Sequence, residues 1–390
     1  MNSFVCIVTG PIVGLQSTWF LDETVRFAAT LNRKIKVFNV LDEVIEATGA
    51  EAANAYEKAA MVGELLDGYQ YQFDCMREKA YQAIARKIDR LPRTVSAVVR
   101  IPASIEWRGV NLEFKDHRVI AETLCPDRIV TLIDAENKIF DRLRTDYGQH
   151  VLRVIAQRSE LNLSVILRWL GSEVSRSEDW AEWCSHITGK RVRHYVLGIM
   201  APGFPDRTVL RRDVENMTKA VTERNLPSFY ASYSMTVAGP TERKEINNAI
   251  WGLRKYGLVI DPGSIEIGNH LEGQDEGVVF AYTVCRDLRW DVRKVDVVAA
   301  FHPYRSRPPL STGMMDEIGH ARAFRKERYL VLPTGGGSPF TGGNYVPKNH
   351  LFTDTDSFFG FIEKKRRPPL KPVFADTVAA FVKWTSKGRG

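Results

Sequence analysis

Short runs of β-branched and apolar residues alternate with amphipathic stretches through about the first 200 residues of the chain, a pattern typical of buried parallel strands separated by helices. The predicted strands are Phe4 to Val8, Lys36 to Val40, Val95 to Ile101, Ile129 to Ile133 and His194 to Met200. The predicted helices include Trp19 to Leu31, Ala52 to Leu66, Phe73 to Ile88 and Val209 to Arg224. This alternation predicts an α/β domain with a doubly wound parallel sheet.

A second domain is predicted after a turn at Asn225-Leu-Pro227, which gives domains of residues 1–225 and 226–390. Its clearest strand is the apolar run from Val295 to Phe301. A loop rich in Pro and Arg follows, and a helix then begins with Ser311 or Thr312 as its N-cap. We therefore expect two doubly wound α/β domains.

Composition restricts the location and class of the protein. The chain has 390 residues, 44% of them hydrophobic, and no apolar run approaches the about 20 residues of a membrane helix. The amino terminus lacks the pattern of a signal peptide. Five scattered cysteines without a C-x-x-C pair favour reduced thiols over disulfides or zinc. We expect a cytoplasmic protein without a bound metal.

The net charge of +7 raises the question of nucleic acid binding. Basic residues are spread along the predicted helices, and the one dense run is Lys364 to Arg367. Solvated surface charge is the favoured interpretation, attraction of phosphorylated small molecules the second, and DNA binding the third.

A modified phosphate-binding frame lies between the first strand and the first helix. The segment from Gly10 through Gly14 to Ser17 has the spacing of G-x-x-x-x-G-K-[ST], but Leu15 replaces the second glycine and Gln16 the lysine. The lysine normally supplies the cation for the β- and γ-phosphates. We therefore expect Gly10, Gly14, Gln16 and Ser17 to form a degenerate nucleotide-binding loop without kinase activity.

Further segments of the first domain are similar, in order and type, to parts of adenylate-kinase-like P-loop proteins. They are Ser104 to Gly109, Cys125 to Asp134, Phe140 to Arg144 and Ile166 to Glu173. The resemblance implies a degenerate P-loop kinase fold for residues 1–225. The alternative is an α/β domain that binds nothing and only carries the second domain or a dimer contact.

Three segments of the second domain resemble the nucleoside 2-deoxyribosyltransferases, and most closely the 2′-deoxynucleoside 5′-monophosphate N-hydrolases. They are Asp287-Leu-Arg-Trp290, the strand that starts Asp296-Val-Val, and Ser311-Thr-Gly313 with Glu317 four residues later. Phe229 to Met235 looks like the family's first strand and phosphate-binding turn. The resemblance implies a flavodoxin-like fold and covers about the last two-fifths of the chain.

The resemblance also implies roles for single residues. Glu317 matches the nucleophile, Asp287 the aspartate that works beside it, and Tyr230 a tyrosine near the nucleophile and the sugar. Ser234 and Ser311 match the serines that hold the 5′-phosphate. The implied activity is cleavage or exchange of the N-glycosidic bond of a nucleotide, without a cofactor and in a homo-oligomer.

This sequence departs from the family in its phosphate contacts. The arginine that follows the first-strand serine in the hydrolases is absent after Ser234. The longer loop from His302 to Pro309 contains Arg305 and Arg307, which could supply the cation from the other side. Gly313 at the helix start is also expected to contact the substrate.

Structural roles remain open for the same residues. Asp287 and Ser311 could be N-caps, and Glu317 a solvated helix residue. Asp296 is expected to cap the beginning of its strand, and Asp316 to face solvent. For the whole protein, the alternatives to an N-glycosidase are a non-catalytic nucleotide sensor and a nucleotide kinase with an aberrant loop.

Overall fold

The computed structural model of the chain describes residues 3–11, 17–49, 55–68, 70–107, 110–134, 139, 163–199, 207–234, 238–265, 275–304, 310–333 and 345–365. The chain divides into two compact units, one of Met1–Arg224 with Ile267–Val279 and the other of Asn225–Glu266 with Phe280–Gly390.

Strands and helices alternate along both units, as the hydrophobic pattern predicts. The strands are β1 Val5–Thr9, β2 Lys34–Asn39, β3 Val95–Arg100, β4 Ser104–Trp107, β5 Val110–Glu113, β6 Arg128–Ile133, β7 Arg193–Gly198, β8 Ser228–Tyr233, β9 Leu258–Ile260, β10 Val297–Phe301, β11 Glu327–Val331 and β12 Leu351–Phe352. The helices are α1 Ser17–Thr30, α2 Val40–Ala47, α3 Ala55–Gly68, α4 Gln70–Asp89, α5 His117–Thr123, α6 Leu163–Thr188, α7 Arg207–Thr222, α8 Pro240–Arg254, α9 Asp275–Cys285, α10 Thr312–Ala323 and α11 Thr355–Lys365. Short 3₁₀ turns occupy Pro262–Ile265 and Lys348–His350, and a π-helix occupies Arg286–Val292.

Each unit is built on a five-stranded parallel sheet. The strand order is β2-β3-β1-β6-β7 in the first unit and β12-β11-β10-β8-β9 in the second. In the second sheet, β8 and β10 lie side by side, with Tyr230 opposite Val298 and Ser232 opposite Ala300. The chain leaves β8 toward one edge and later returns through β10 toward the other. The carboxyl ends of β8 and β10 therefore form the point where ligands bind in open α/β sheets.

Alternation along the second sheet gives it two apolar faces. One face packs against α8 and α11, through a core that includes Phe229, Ala231, Val297, Ala299, Phe301, Ile246, Ile250, Phe358 and Ile362. The other face packs against α10, where Ala300 and Leu330 contact Met314 and Ile318. Burying each large side chain contributes about 1.5–3 kcal/mol, so the helices on both faces are held mainly by this core.

Three local elements differ from the sequence prediction. Val40 begins α2 instead of ending β2, because the Asn39 side chain accepts a hydrogen bond from the Leu41 N–H and caps the helix. The strands β4 and β5 pair antiparallel with each other. The stretch around Asp287, where an N-cap was one of the expectations, is a π-helix that continues directly from α9.

Among the described residues, no helix combines the length and apolar character that crossing a membrane requires.

Asp296 fastens the amino ends of the central strands of the second unit. Its carboxylate accepts hydrogen bonds from the backbone N–H and the hydroxyl of Ser228, each at 3.0 Å. The Asp296 carbonyl accepts from the Glu327 N–H at 3.2 Å. This contact lies at the opposite sheet edge from the carboxyl ends of β8 and β10, so it is structural, as the sequence suggested.

We expect Asp296→Ala to lower the free energy of unfolding by about 1.5–3 kcal/mol, because two buried donors of Ser228 lose a charged acceptor. Urea denaturation of the variant and of wild type measures the loss. Asp316→Ala is the matched control: Asp316 is exposed, and the change should stay within about 0.5 kcal/mol. Equal stability of both variants would contradict the assignment.

Candidate active site

Glu317 lies within the second turn of α10 and faces the sheet. Ser311 begins this helix as its N-cap, since its hydroxyl oxygen accepts a hydrogen bond from the Met314 N–H at 3.3 Å. Counting from the cap places Glu317 on the same face as Met314 and Ile318, the side chains that pack onto the sheet. Glu317 is therefore a buried carboxyl, 8% exposed, and not a solvated helix residue.

Two hydroxyl groups of β8 hold the Glu317 carboxyl. Tyr230 donates to Oε1 at 2.7 Å, and Ser232 donates to Oε2. Because side chains alternate along a strand, Tyr230 and Ser232 lie on one face of β8 and reach the helix together. Each carboxyl oxygen thus has its own hydroxyl donor, which fixes the rotation of the group.

Burial dominates the acidity of this pair. Desolvation raises the pKa of Glu317 to about 8, the negative charge of Asp287 also raises it, and the hydrogen bonds from Ser232 and Tyr230 lower it. The pKa of Tyr230 lies well above its ordinary value, because of burial and then the charge of Glu317. The phenol therefore stays protonated and remains a hydrogen-bond donor.

A second carboxyl, Asp287, lies near Glu317 on the π-helix. Arg286 donates from Nε to Asp287 Oδ1 at 2.9 Å and from Nη1 to the Ile265 carbonyl at 3.0 Å. Burial raises the pKa of Asp287, and the Arg286 charge opposes that rise. Asp287 is thus paired with a guanidinium and does not act as a helix N-cap, because α9 runs directly into the π-helix.

A third carboxyl, Asp291, lies one turn further along the π-helix and is 3% exposed. Burial raises its pKa well above the ordinary value, and the negative charge of Asp287 adds to the rise. Trp290 anchors the segment against Tyr282 with ring centroids 5.2 Å apart. π-Helical turns are rare and often occur at functional sites.

The serines predicted to hold phosphate lie at two neighbouring element ends. Ser234 follows Tyr230 and Ser232 in the same alternation, one residue past β8, and its hydroxyl is buried without a hydrogen-bond partner in the described part of the chain. Ser311 opens α10, and a Cβ at Gly313 would meet no described atom within 4 Å. The first turn of α10 therefore has free space beside it.

Several predicted residues lie outside the described residues. They are Arg305 in the loop after β10, Gly14 and Gln16 of the phosphate-binding frame, the segment from Phe140 to Arg144, and the end of the basic run at Arg367.

In the first unit, the described ends of the frame are Gly10 and Ser17, and Gly10 is bound by the chain itself. The fully buried carboxyl of Glu173 on α6 accepts from the Gly10 N–H and the Ala103 N–H at 2.7 Å each. Ser104 donates to it from its N–H at 2.7 Å and its hydroxyl at 2.8 Å. Burial raises the Glu173 pKa to about 7, and these hydrogen bonds oppose the rise. Ser17, the first residue of α1, is buried.

Sequence reasoning did not identify Ser232, Arg286, Asp291 or Glu173. Ser232 could have been found, because strand alternation places it between Tyr230 and Ser234 on the same face. Arg286 and Asp291 flank the D-L-x-W segment, but nothing in their spacing distinguishes them from surface charges. The Gly10 contact of Glu173 joins residues 163 positions apart.

A separate cleft of about 240 Å³ lies at the carboxyl ends of β10 and β11, on the face covered by α8 and α11. His302, Glu245 and Asp354 line it, together with apolar residues of the core. None of the predicted site residues lines this cleft. The buried carboxyls are on the other face of the sheet, and we therefore take them as the candidate site.

Within the described ranges, no group of three or more His, Cys, Asp or Glu side chains is arranged to hold a metal ion. A scan against protein-family models finds no match to the chain, and a search among curated proteins finds no significantly similar sequence. The site is thus defined by its own geometry. It belongs to an α/β protein with a hydroxyl-bound carboxyl at the carboxyl edge of a parallel sheet.

The raised pKa of Glu317 makes stability depend on pH. The folded chain binds the proton up to about pH 8 and the unfolded chain only up to about the ordinary value of 4.5. The Glu317 proton therefore contributes its full stabilisation below about pH 4.5, and this stabilisation is lost as the pH rises through about 8. The loss is at most about 1.4 kcal/mol per pH unit. We expect the unfolding free energy of wild type, relative to Glu317→Gln, to fall over this window.

Urea denaturation of both proteins at several pH values measures this difference, in which the titratable groups that do not interact with Glu317 cancel. A difference that stays constant from pH 4 to 9 would show that Glu317 titrates normally.

Proposed function

We propose that the second unit cleaves or exchanges the N-glycosidic bond of a nucleotide, with Glu317 as the nucleophile. The observation that carries the proposal is the buried Glu317 carboxyl, whose two oxygens are held by Tyr230 and Ser232 at the carboxyl edge of the sheet. A carboxyl whose pKa is strongly raised by burial, and which lies at the sheet edge where ligands bind in open α/β folds, is typical of a catalytic group.

The chemistry of this bond calls for two carboxyls. One stabilises the oxocarbenium-like sugar or attacks C1′, and a second supplies a proton to the leaving group. Glu317 and Asp287 provide such a pair, close enough that the charge of Asp287 raises the pKa of Glu317. The Tyr230 and Ser232 hydroxyls favour the ionised form of Glu317, and the attacking carboxylate is thereby oriented.

The substrate we propose is a 2′-deoxynucleoside 5′-monophosphate. Ser234 offers a buried hydroxyl without a partner in the described residues, and Ser311 and Gly313 stand at the amino end of α10. Free amides and the partial positive charge of a helix amino terminus favour a phosphate there. A phosphate held at this point would direct the sugar toward Glu317, one helical turn further along. Arg305 completes the proposed contacts.

For the whole chain, the proposal comprises a flavodoxin-like deoxyribosyltransferase-like unit after a degenerate P-loop kinase-like unit, in a cytoplasmic homo-oligomer. The exposed side chains of Phe280 and Val284, four residues apart on α9, support self-association. The Glu173 carboxyl at the Gly10 N–H supports a degenerate loop without kinase activity in the first unit.

The second candidate is a non-catalytic nucleotide sensor, and the third is a nucleotide kinase. Release of free base by the purified protein separates the first candidate from the second, and transfer of labelled phosphate from ATP tests the third. The buried hydroxyl-bound carboxyl favours catalysis, because a site that only binds an anionic nucleotide gains nothing from an added carboxylate.

We expect Glu317→Gln to lower base release from 2′-deoxynucleoside monophosphates by at least about 10³-fold, because the amide cannot form the sugar ester. Chromatography of the released base, across a panel of ribo- and deoxynucleotides and NAD, gives the rates. Asp316→Asn, one residue away and exposed, is the matched control and should retain wild-type turnover. Wild-type turnover by a folded Glu317→Gln protein would remove Glu317 from the mechanism.

We also expect kcat/KM for a nucleoside to be far below that for its 5′-monophosphate, because phosphate contacts align C1′ with Glu317. Ser234→Ala and Ser311→Ala should each narrow this gap. If Ser311 acts only as an N-cap, Ser311→Ala would cost about 1 kcal/mol of stability and leave the ratio of the two kcat/KM values unchanged. Matched nucleoside and monophosphate pairs decide the point. Equal values in wild type would favour a nucleoside deoxyribosyltransferase.

A further inference from the structure

The candidate site contains more carboxyls than cations. Asp287, Asp291 and Glu317 influence one another's pKa, and Arg286 is the buried cation among them. Within the described part of the chain, Arg286 donates hydrogen bonds to Asp287 and to the Ile265 carbonyl. The Arg286 guanidinium is paired with Asp287, and burial of the other two carboxyls, Asp291 and Glu317, favours their protonated forms.

Asp291 is the carboxyl least able to be ionised. Its Oδ1 atom is buried and receives no hydrogen bond from the described residues. An ionised oxygen without a donor, away from water, is far more costly than a neutral carboxyl. Glu317, in contrast, has a hydroxyl donor on each oxygen.

Charged groups on several neighbouring elements influence the pKa of Asp291. Asp287 and Arg286 belong to its own π-helix, Lys294 follows that helix, and Glu317 comes from α10. The negative charge of Asp291 also raises the pKa of Tyr230 on β8. Arg286 and Lys294 favour the ionised form, whereas burial and the two carboxyls oppose it. Burial and the charge of Asp287 are the two largest effects, so the balance favours the proton on Asp291.

Asp287 is more exposed to solvent than Asp291. Its side chain keeps 14% of its surface exposed, and the Arg286 ion pair favours its ionised form. Asp287 and Asp291 are at positions i and i+4, which places the two side chains on one side of the helical segment. Asp287 can therefore reach a ligand, and its ion pair with Arg286 favours the carboxylate form. Asp291 is 3% exposed and favours the protonated form.

We propose that Asp291 stores the proton that the departing base requires and passes it through Asp287, so that it is a positioning residue for the proton transfer. The inference rests on the proposed function.

The step balances as follows. The Glu317 carboxylate forms a bond to C1′ while the N-glycosidic bond breaks and its electron pair goes to the base. Asp291 gives its proton to the Asp287 carboxylate as Asp287 delivers a proton to the base, so Asp291 is left ionised and the base neutral. Water then attacks C1′, the ester to Glu317 breaks, and the proton of that water returns to the pair of aspartates. The sum is nucleotide plus water to free base plus sugar phosphate.

The test compares two leaving groups in wild type. One probe is the best 2′-deoxynucleoside 5′-monophosphate, and the other is 2-deoxyribose 5-phosphate with 4-nitrophenolate at C1′, which leaves without protonation. We expect kcat/KM for the nucleotide to rise with pH as Glu317 ionises and to fall again as the stored proton is lost. The nitrophenyl probe should show the rise alone. A falling limb with both probes, or with neither, overturns the proposal.

The variant Asp291→Asn has the same shape and cannot hold the proton. We expect it to lose about 10²-fold or more in kcat for the nucleotide, less than about tenfold for the nitrophenyl probe, and the falling limb of the pH profile. Equal losses with both probes would assign Asp291 a purely structural role, and no loss would remove it from the proton path.

Glu317→Gln separates this inference from the proposed function, since it should be inactive with both probes. Should wild type release neither base nor nitrophenol, the proposed function fails and the role of Asp291 fails with it. Asp316→Asn serves again as the exposed control.

Discussion

The hydroxyl groups of Tyr230 and Ser232 tie α10 to β8 through a single carboxyl, and the arrangement of the second unit depends on that contact. A helix that packs only through Met314 and Ile318 could slide along the sheet with a small loss of apolar contact. Two directional hydrogen bonds to one carboxyl remove that freedom. The same contact then decides where the amino end of α10 lies relative to the carboxyl ends of β8 and β10.

Burying the Glu317 carboxyl is electrostatically unfavourable, and the same holds for the neighbouring acids. Burial of Glu317, Asp287 and Asp291 opposes their charged forms, while Arg286 and the hydroxyl donors offset part of that effect. Sheets without a ligand site have no reason to collect acids at this edge, because apolar residues of similar volume are at least as stable. The concentration of acids on the π-helix and on α10 is therefore consistent with the catalytic role that we propose for this edge of the sheet.

The strands and helices could be predicted closely, because apolar runs and helix caps are local signals. Ser311, for example, is both the predicted and the observed N-cap. Glu317 and Tyr230 could be placed near each other only through the family resemblance, because no local signal joins a strand and a helix residue 87 positions apart. The π-helix was missed since its extra residue per turn leaves no compositional mark. The partners of Asp291 depend on burial, which the sequence does not display.

Glu173 has a consequence for the first unit in terms of effective concentration. A carboxylate carried on α6 and delivered to the Gly10, Ala103 and Ser104 amides needs no encounter from solution, because folding has already brought it there. Tethered groups act at millimolar or higher local concentration. Any free anion that approaches the Gly10 amide must therefore displace the Glu173 carboxyl. The local concentration of that carboxyl is constant and does not depend on the concentration of nucleotide in solution.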